Sequence, residues 1–163
     1  IHNPFIDAAA QDRTIQAMFK GNIPSNINFL PYLDKNEKVN DLLNFIDIDI
    51  SGLSGSEGWN LPAFNSICLD KTAVVMDAHS HRTYANNTNS ICVQPGPKQP
   101  IYDDVFFVQG NDYNQGNMYS LDLEATKEAL LKSVSGEFVN TSGSELAKRF
   151  SVANTVDTIL NSL

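Results

Sequence analysis

A chain of 163 residues, 42% of them hydrophobic, has the length of one ordinary domain and enough apolar side chains to bury a core. Nine Phe, five Tyr and one Trp exclude the aromatic-poor composition of a disordered chain. Acidic residues outnumber basic ones 19 to 11, a net charge of -8, and only Lys148-Arg149 sit together as a basic pair, so the surface suits neither nucleic acid nor an anionic membrane.

No stretch approaches the roughly 18 apolar residues that span a bilayer, so membrane insertion is not expected. The start, Ile1-His2-Asn3-Pro4, has no initiator Met and reads as a processed end. The expectation is a single domain of extracellular type over residues 1–163.

Residues 4–20 have helical composition, with Ile15, Met18 and Phe19 at helical spacing and Gly21 as the stop. Near Asp34 a second helix begins, with Asp34 and Glu37 as a capping pair and Val39, Leu42, Leu43 and Ile46 as its apolar stripe. The alternation Ile46-Asp47-Ile48-Asp49-Ile50 predicts a strand with one wet face, followed by a Gly and Ser loop over residues 51–58.

From residue 67 to 93 the pattern reads as β, with the apolar run Ala73-Val74-Val75-Met76 and a turn at Asn86-Asn87-Thr88-Asn89, which predicts a three-stranded meander. The Pro-rich stretch 95–100 predicts a semi-rigid loop, residues 102–108 a further strand, and residues 109–118 a polar loop. Two helices close the chain, over 121–134 and 144–163. The expected fold is therefore α+β, with a central antiparallel sheet of about four to five strands flanked by N-terminal and C-terminal helices.

Cys68 and Cys92 are the only cysteines. They are too few for an all-Cys zinc site, and either form a disulfide or stand as two buried thiols. Their similar contexts, Ser66-Ile67-Cys68-Leu69 and Ser90-Ile91-Cys92-Val93, favour a disulfide between adjacent strands. Such a bond implies an oxidising compartment: secretion, the periplasm or the cell surface. Eighteen Asn fit such a surface, and Asn86-Asn87-Thr88 and Asn140-Thr141-Ser142 match the glycosylation acceptor pattern.

Asp77, His79 and His81 share a face if the strand through Met76 continues, and could then bind a divalent metal. An apolar strand ending in His-x-His resembles the first metal motif of amidohydrolase barrels, over eight residues, and implies a small metal-dependent hydrolase as the alternative function. The metalloprotease pattern that also opens His-x-His needs a Ser and an Asp where this chain has Asn89 and Cys92. The competing expectation is that both histidines are surface or turn residues beside Ser80.

Asp47, Asp49 and Ser51, with Gly52 next, match the opening of a calcium loop. The closing acid is misplaced, which leaves a weak calcium site of Asp47, Asp49, Ser51 and Glu57 as an option. Asn111, Asp112, Tyr113 and Asn114 gather hydrogen-bonding groups and an aromatic on one loop, and Trp59 stands beside Gly58 and Asn60. Both are candidate contacts for a protein or carbohydrate partner outside the cytosol.

No nucleophile motif and no phosphate-cradling loop is evident, and no resident cofactor beyond calcium is expected. The expected function is a secreted or surface-displayed, non-catalytic binding or assembly subunit: a fibre subunit, an adhesin module or an accessory subunit of an extracellular complex, able to form homo- or hetero-oligomers.

Overall fold

The computed structural model describes residues 8–30, 33–102, 107–113 and 116–162. Its chain divides into two compact units, residues 1–41 and 42–163. In the first unit, helix α1 (Ala8–Met18) is ended by left-handed backbone at Lys20 (φ 51°) and Gly21 (φ 75°), and the Phe19 ring meets Phe29 edge-on at 6.2 Å. Helix α2 (Asn36–Phe45) begins in this unit, behind an Asp34–Lys38 ion pair of 2.7 Å, and its last turn belongs to the second.

The second unit runs β1 (Ile48–Gly52), α3 (Leu61–Cys68), β2 (Thr72–Met76), the single-turn α4 (His81–Tyr84), β3 (Ile91–Val93), β4 (Pro95–Pro100), β5 (Asn117–Leu121), α5 (Leu123–Ser135), α6 (Gly143–Arg149) and α7 (Val152–Leu160). Strands β1, β2 and β3 form a parallel sheet in that order, and β4 and β5 pair antiparallel in a separate ribbon. This corrects the expected central antiparallel sheet. The chain is α+β, with three parallel strands carrying its core.

The run 73–76 explains the difference. Ala73 and Val75 face a cluster with Ala63 and Ile67 of α3 and Leu146 of α6, while Val74 faces Ile91, Val93 and Ala129 of α5. A strand apolar on both faces needs cover on both, and parallel strands joined by crossovers put helices there. In a meander with one wet face, half of these side chains would meet water. Ile67, Val74 and Val75 are fully buried, each worth roughly 1.5–3 kcal/mol relative to exposure.

Helix α3 was not expected. Its start is nonetheless written as Asn60-Leu61-Pro62, an N-cap followed by Pro inside the first turn, where the missing N–H costs nothing. The Asn60 side chain accepts from Ala63 N at 3.2 Å and donates to Ser51 O at 2.8 Å, tying the helix start to the end of β1.

Strand β4 forms where a loop was expected. Its prolines are tolerated because in a two-stranded ribbon each strand has a free edge on which no N–H is required. The strand expected over 102–108 lies partly outside the described residues, and Phe107 and Val108 are not in a strand. The last predicted helix is two: Phe150 turns into an aromatic cluster with Trp59 and Phe64, and Ser151 then caps α7 through its side chain to Asn154 N.

The expected disulfide is also corrected: Cys68 and Cys92 are free thiols. Cys68 sits in the last turn of α3 and not on a strand beside β3, and the residue opposite Cys92 is Val75 of β2. Burial, helped by the Asp70 carboxylate, raises the Cys68 thiol to about 11, and burial raises Cys92 despite its contact with Ser90. Without the bond, the case for an oxidising compartment loses its main support.

Two thiols per chain should therefore titrate in denatured, unreduced protein. In the native protein at pH 8, Cys68 should alkylate roughly a hundredfold more slowly than an exposed thiol, because so little thiolate is present. An intact mass two hydrogens short that resists alkylation would contradict this.

Candidate functional site

In parallel α/β sheets, ligands bind outside the carboxyl ends of the strands, where successive loops diverge. Here that edge is built from residues 53–60 after β1 and residues 77–80 after β2. Both loops contain a non-glycine residue in the left-handed region, Asn60 (φ 61°) and His79 (φ 51°). Such backbone costs of the order of 1–3 kcal/mol and gathers at binding sites, where the surroundings hold it in place.

A shared carbonyl joins the two loops. Gly55 O accepts from Tyr119 N of β5 at 3.0 Å and from His79 Nε2 at 2.7 Å. Nε2 of His79 therefore carries the proton, and in the neutral ring Nδ1 is left as an acceptor. The His79 and Tyr119 rings meet edge-on at 5.2 Å. Gly55 is required at this point, since a Cβ there would overlap Tyr119 O.

Glu57 belongs to the same group. Its carbonyl accepts from Ser80 Oγ at 3.3 Å, and its carboxylate acts electrostatically on both His81 and Tyr84. Among the described residues, the Glu57 carboxylate has no hydrogen bond or ion pair. Beneath it, the Tyr84 hydroxyl donates to Trp59 O at 2.8 Å, and burial together with Glu57, Asp49 and Cys68 pushes its pKa well up. Tyr84 stays a neutral donor.

The residues expected to hold a divalent metal are not brought together. Strand β2 stops at Met76, Ala78 N bonds back to Met76 O, and the left-handed His79 turns the chain. The alternation needed to align Asp77, His79 and His81 is lost. Asp77 pairs with Arg82 at 2.8 Å and accepts from Gln94 at 3.1 Å, while His79 reaches Gly55.

His81 is fully buried, its Nδ1 donating to Met76 O at 2.9 Å and its Nε2 without a partner among the described residues. The competing expectation, two surface or turn histidines, describes His79, which is exposed in the turn, and fails for His81, which is buried at the start of α4. Burial lowers the His81 pKa, with the Met76 bond and Glu57 opposing and His79 adding to the fall.

The candidate calcium residues also diverge. Asp49 is buried and spends both oxygens within the fold: Oδ1 accepts from Ser51 N (2.8 Å) and Ser51 Oγ (2.6 Å), and Oδ2 from Ser66 Oγ (2.8 Å). Asp47 is exposed before β1, and Glu57 lies at the opposite end of the strand. Among the described residues, no group of three or more His, Cys, Asp and Glu is placed to hold a metal.

Trp59 is a core anchor, packed against Phe64, Tyr84 and Phe150 at ring distances of 5.2–5.5 Å. Tyr113 is 91% exposed on a turn where its N–H bonds Asn111 Oδ1 at 3.0 Å; Asp112 is exposed beside it, and Asn114 lies outside the described residues. Asn140, in the second acceptor triplet, is buried with its amide nitrogen bonded to Ile67 O and Lys71 O, so it is closed to a glycan. Asn86 is exposed.

Sequence reasoning missed Asn60, Gly55 and Tyr119. Only Asn60 had a local signal, its place before Leu61-Pro62; the other two acquire their roles from β5 meeting the loop after β1. Among the described residues, no helix is long and apolar enough to cross a membrane. In comparison with known proteins, no family model matches the chain and no curated protein is found similar to it, so its functional reading rests on the geometry of this edge.

Proposed function

We propose that the second unit is a binding domain that receives a small polyhydroxyl ligand, of carbohydrate type, at the carboxyl edge of its parallel sheet. The observation that carries this reading is that Glu57, whose carboxylate has no hydrogen bond or ion pair among the described residues, lies on the loop whose backbone bonds Ser80, His79 and Tyr119. A carboxylate with two open oxygens accepts from two neighbouring hydroxyls at once, in bonds stronger than those between neutral groups. His79 Nδ1 adds an acceptor, Ser80 a hydroxyl, and Tyr119 an apolar ring face for C–H surfaces. Of the protein and carbohydrate partners expected, this reading takes the second.

Calorimetric titration with free sugars, sugar phosphates and nucleotides tests this reading. Free sugars should bind saturably, and Glu57→Gln should weaken that binding about tenfold or more, a loss on the scale of a charge-assisted hydrogen bond. The variant's melting temperature should hardly move, since the carboxylate makes no hydrogen bond or ion pair among the described residues. Absence of saturable binding across the panel, or binding indifferent to Glu57→Gln, would remove the proposal.

A further inference from the structure

A cavity of about 480 Å³ opens elsewhere on the second unit, beside the segment that leads into the amino end of β3. One wall is α6, whose cap and helix residues Ser142, Glu145, Leu146 and Arg149 recur at i, i+3, i+4 and i+7 and so form one face of the helix. The other wall is α4 and the turn after it, with Arg82, Asn86 and Thr88. Leu146 and Asn89 are buried at its base, and Asn89 fixes the turn by donating to Tyr84 O and accepting from Asn86 N, both at 2.8 Å.

Arg82 and Arg149, two of the few cationic residues in a chain of net charge -8, are among the residues that line this cavity. Asp77 clamps Arg82 through Nε and Nη2, at 2.8 Å to the carboxylate and 2.8 Å to the carbonyl, which leaves Nη1 unbonded among the described residues. Arg149 lies over the Phe150 ring at 5.1 Å and has no ion pair among the described residues. Ordering a guanidinium before binding removes much of the entropy that a ligand would otherwise have to meet.

The hydroxyls between the walls are ordered as well. Thr88 Oγ1 donates to Asn86 Oδ1 at 2.6 Å, so in the 2.6 Å pair with Ser142 it must be Ser142 that donates. Among the described residues, the Asn86 side-chain amide donates to no partner. Among the described residues, Glu145 is the one carboxylate that lines the cavity.

We infer that this cavity is an anion site for a phosphate group, carried free or on a small organic molecule, held between Arg82 and Arg149. A tetrahedral phosphate has enough oxygens to meet two guanidinium groups on different walls and an amide donor together, and the cavity has room for a small organic body beyond it. The inference goes beyond the carboxyl-edge reading and uses other residues.

Titration of the intact chain with inorganic phosphate, glycerol 3-phosphate and glycerol, at constant ionic strength, tests it. Phosphate should bind saturably and glycerol should not. Glycerol 3-phosphate binding tighter than phosphate assigns the site to a phosphorylated small molecule, and equal affinities assign it to the free ion. Arg149→Gln should weaken phosphate about tenfold, as expected for one charge-assisted contact. Glu145→Gln, by removing the repelling carboxylate, should tighten it severalfold. Glu57→Gln should leave it unchanged, which keeps this test separate from that of the carboxyl edge. No saturation below about 10 mM phosphate, weaker than any useful site, or affinity unmoved by both cavity variants, would overturn the inference.

Discussion

Replacing Asn140 with Ala should destabilise the second unit by about 3 kcal/mol, because this buried side chain uses its whole hydrogen-bonding capacity inside the fold. Its Nδ2 donates to Ile67 O (2.9 Å) and Lys71 O (3.2 Å), and its Oδ1 accepts from Gly143 N (2.9 Å) and Ser142 N (3.3 Å). It thereby joins the end of α3 and the turn into β2 to the start of α6. Gly143 makes the approach possible, since a Cβ at that position would overlap Ile67 O.

Alanine takes the acceptor from the Ser142 and Gly143 N–H groups and a donor from Lys71 O and from Ile67 O, the last of which keeps Asp70 N, and the melting temperature should fall by roughly 10 °C. Asn140→Asp keeps the acceptor side but sets a carboxylate against two carbonyl oxygens, so it should be nearly as damaging at pH 8 and milder in acid. Urea denaturation of both variants decides the matter. A loss below about 1 kcal/mol for Asn140→Ala, the level of an exposed substitution, would show that α6 docks without this bridge.

The second large effect is at His81. His81→Ala should cost about 2–4 kcal/mol, from the cavity left and the loss of the donor to Met76 O. His79→Ala should cost much less, since that side chain is exposed and gives up one bond to Gly55.

His81 also predicts a pH dependence. Burial holds its folded pKa below the ordinary 6.5, so at mildly acid pH the unfolded chain binds a proton that the folded chain refuses. Its contribution is thus complete above pH 6.5 and is lost as pH falls from there toward the folded value. Stability should decline as pH falls below about 6.5, and the decline should be shallower in His81→Ala. Equal slopes in the two proteins would mean that other groups set the acid response.

How far the sequence could be read differs by element. Local signals placed the strand at Asp47-Ile48-Asp49, the helix that became α5, and the stop at Gly21, because capping, alternation and left-handed glycine act over a few residues. The same kind of signal stood at Asn60-Leu61-Pro62 and would have placed α3. For the site, Glu57 and His79 were singled out, but as metal ligands, and nothing local distinguished exposed His79 from buried His81.

Composition and local pattern determined by themselves that this chain has apolar residues enough for a core and an acidic balance of charge, and roughly where α1, α2, β1, β2 and α5 lie. The tertiary structure decided that β1, β2 and β3 run parallel, since an apolar run such as 73–76 states that both faces are buried without stating what covers them. It also decided that Cys68 and Cys92 stay apart, that Asp49 is spent on Ser51 and Ser66, and that Glu57, His79 and Tyr119 share an edge. Those outcomes depend on residues distant in sequence that meet only when the helices have packed on the sheet, and no short-range preference of the backbone encodes them.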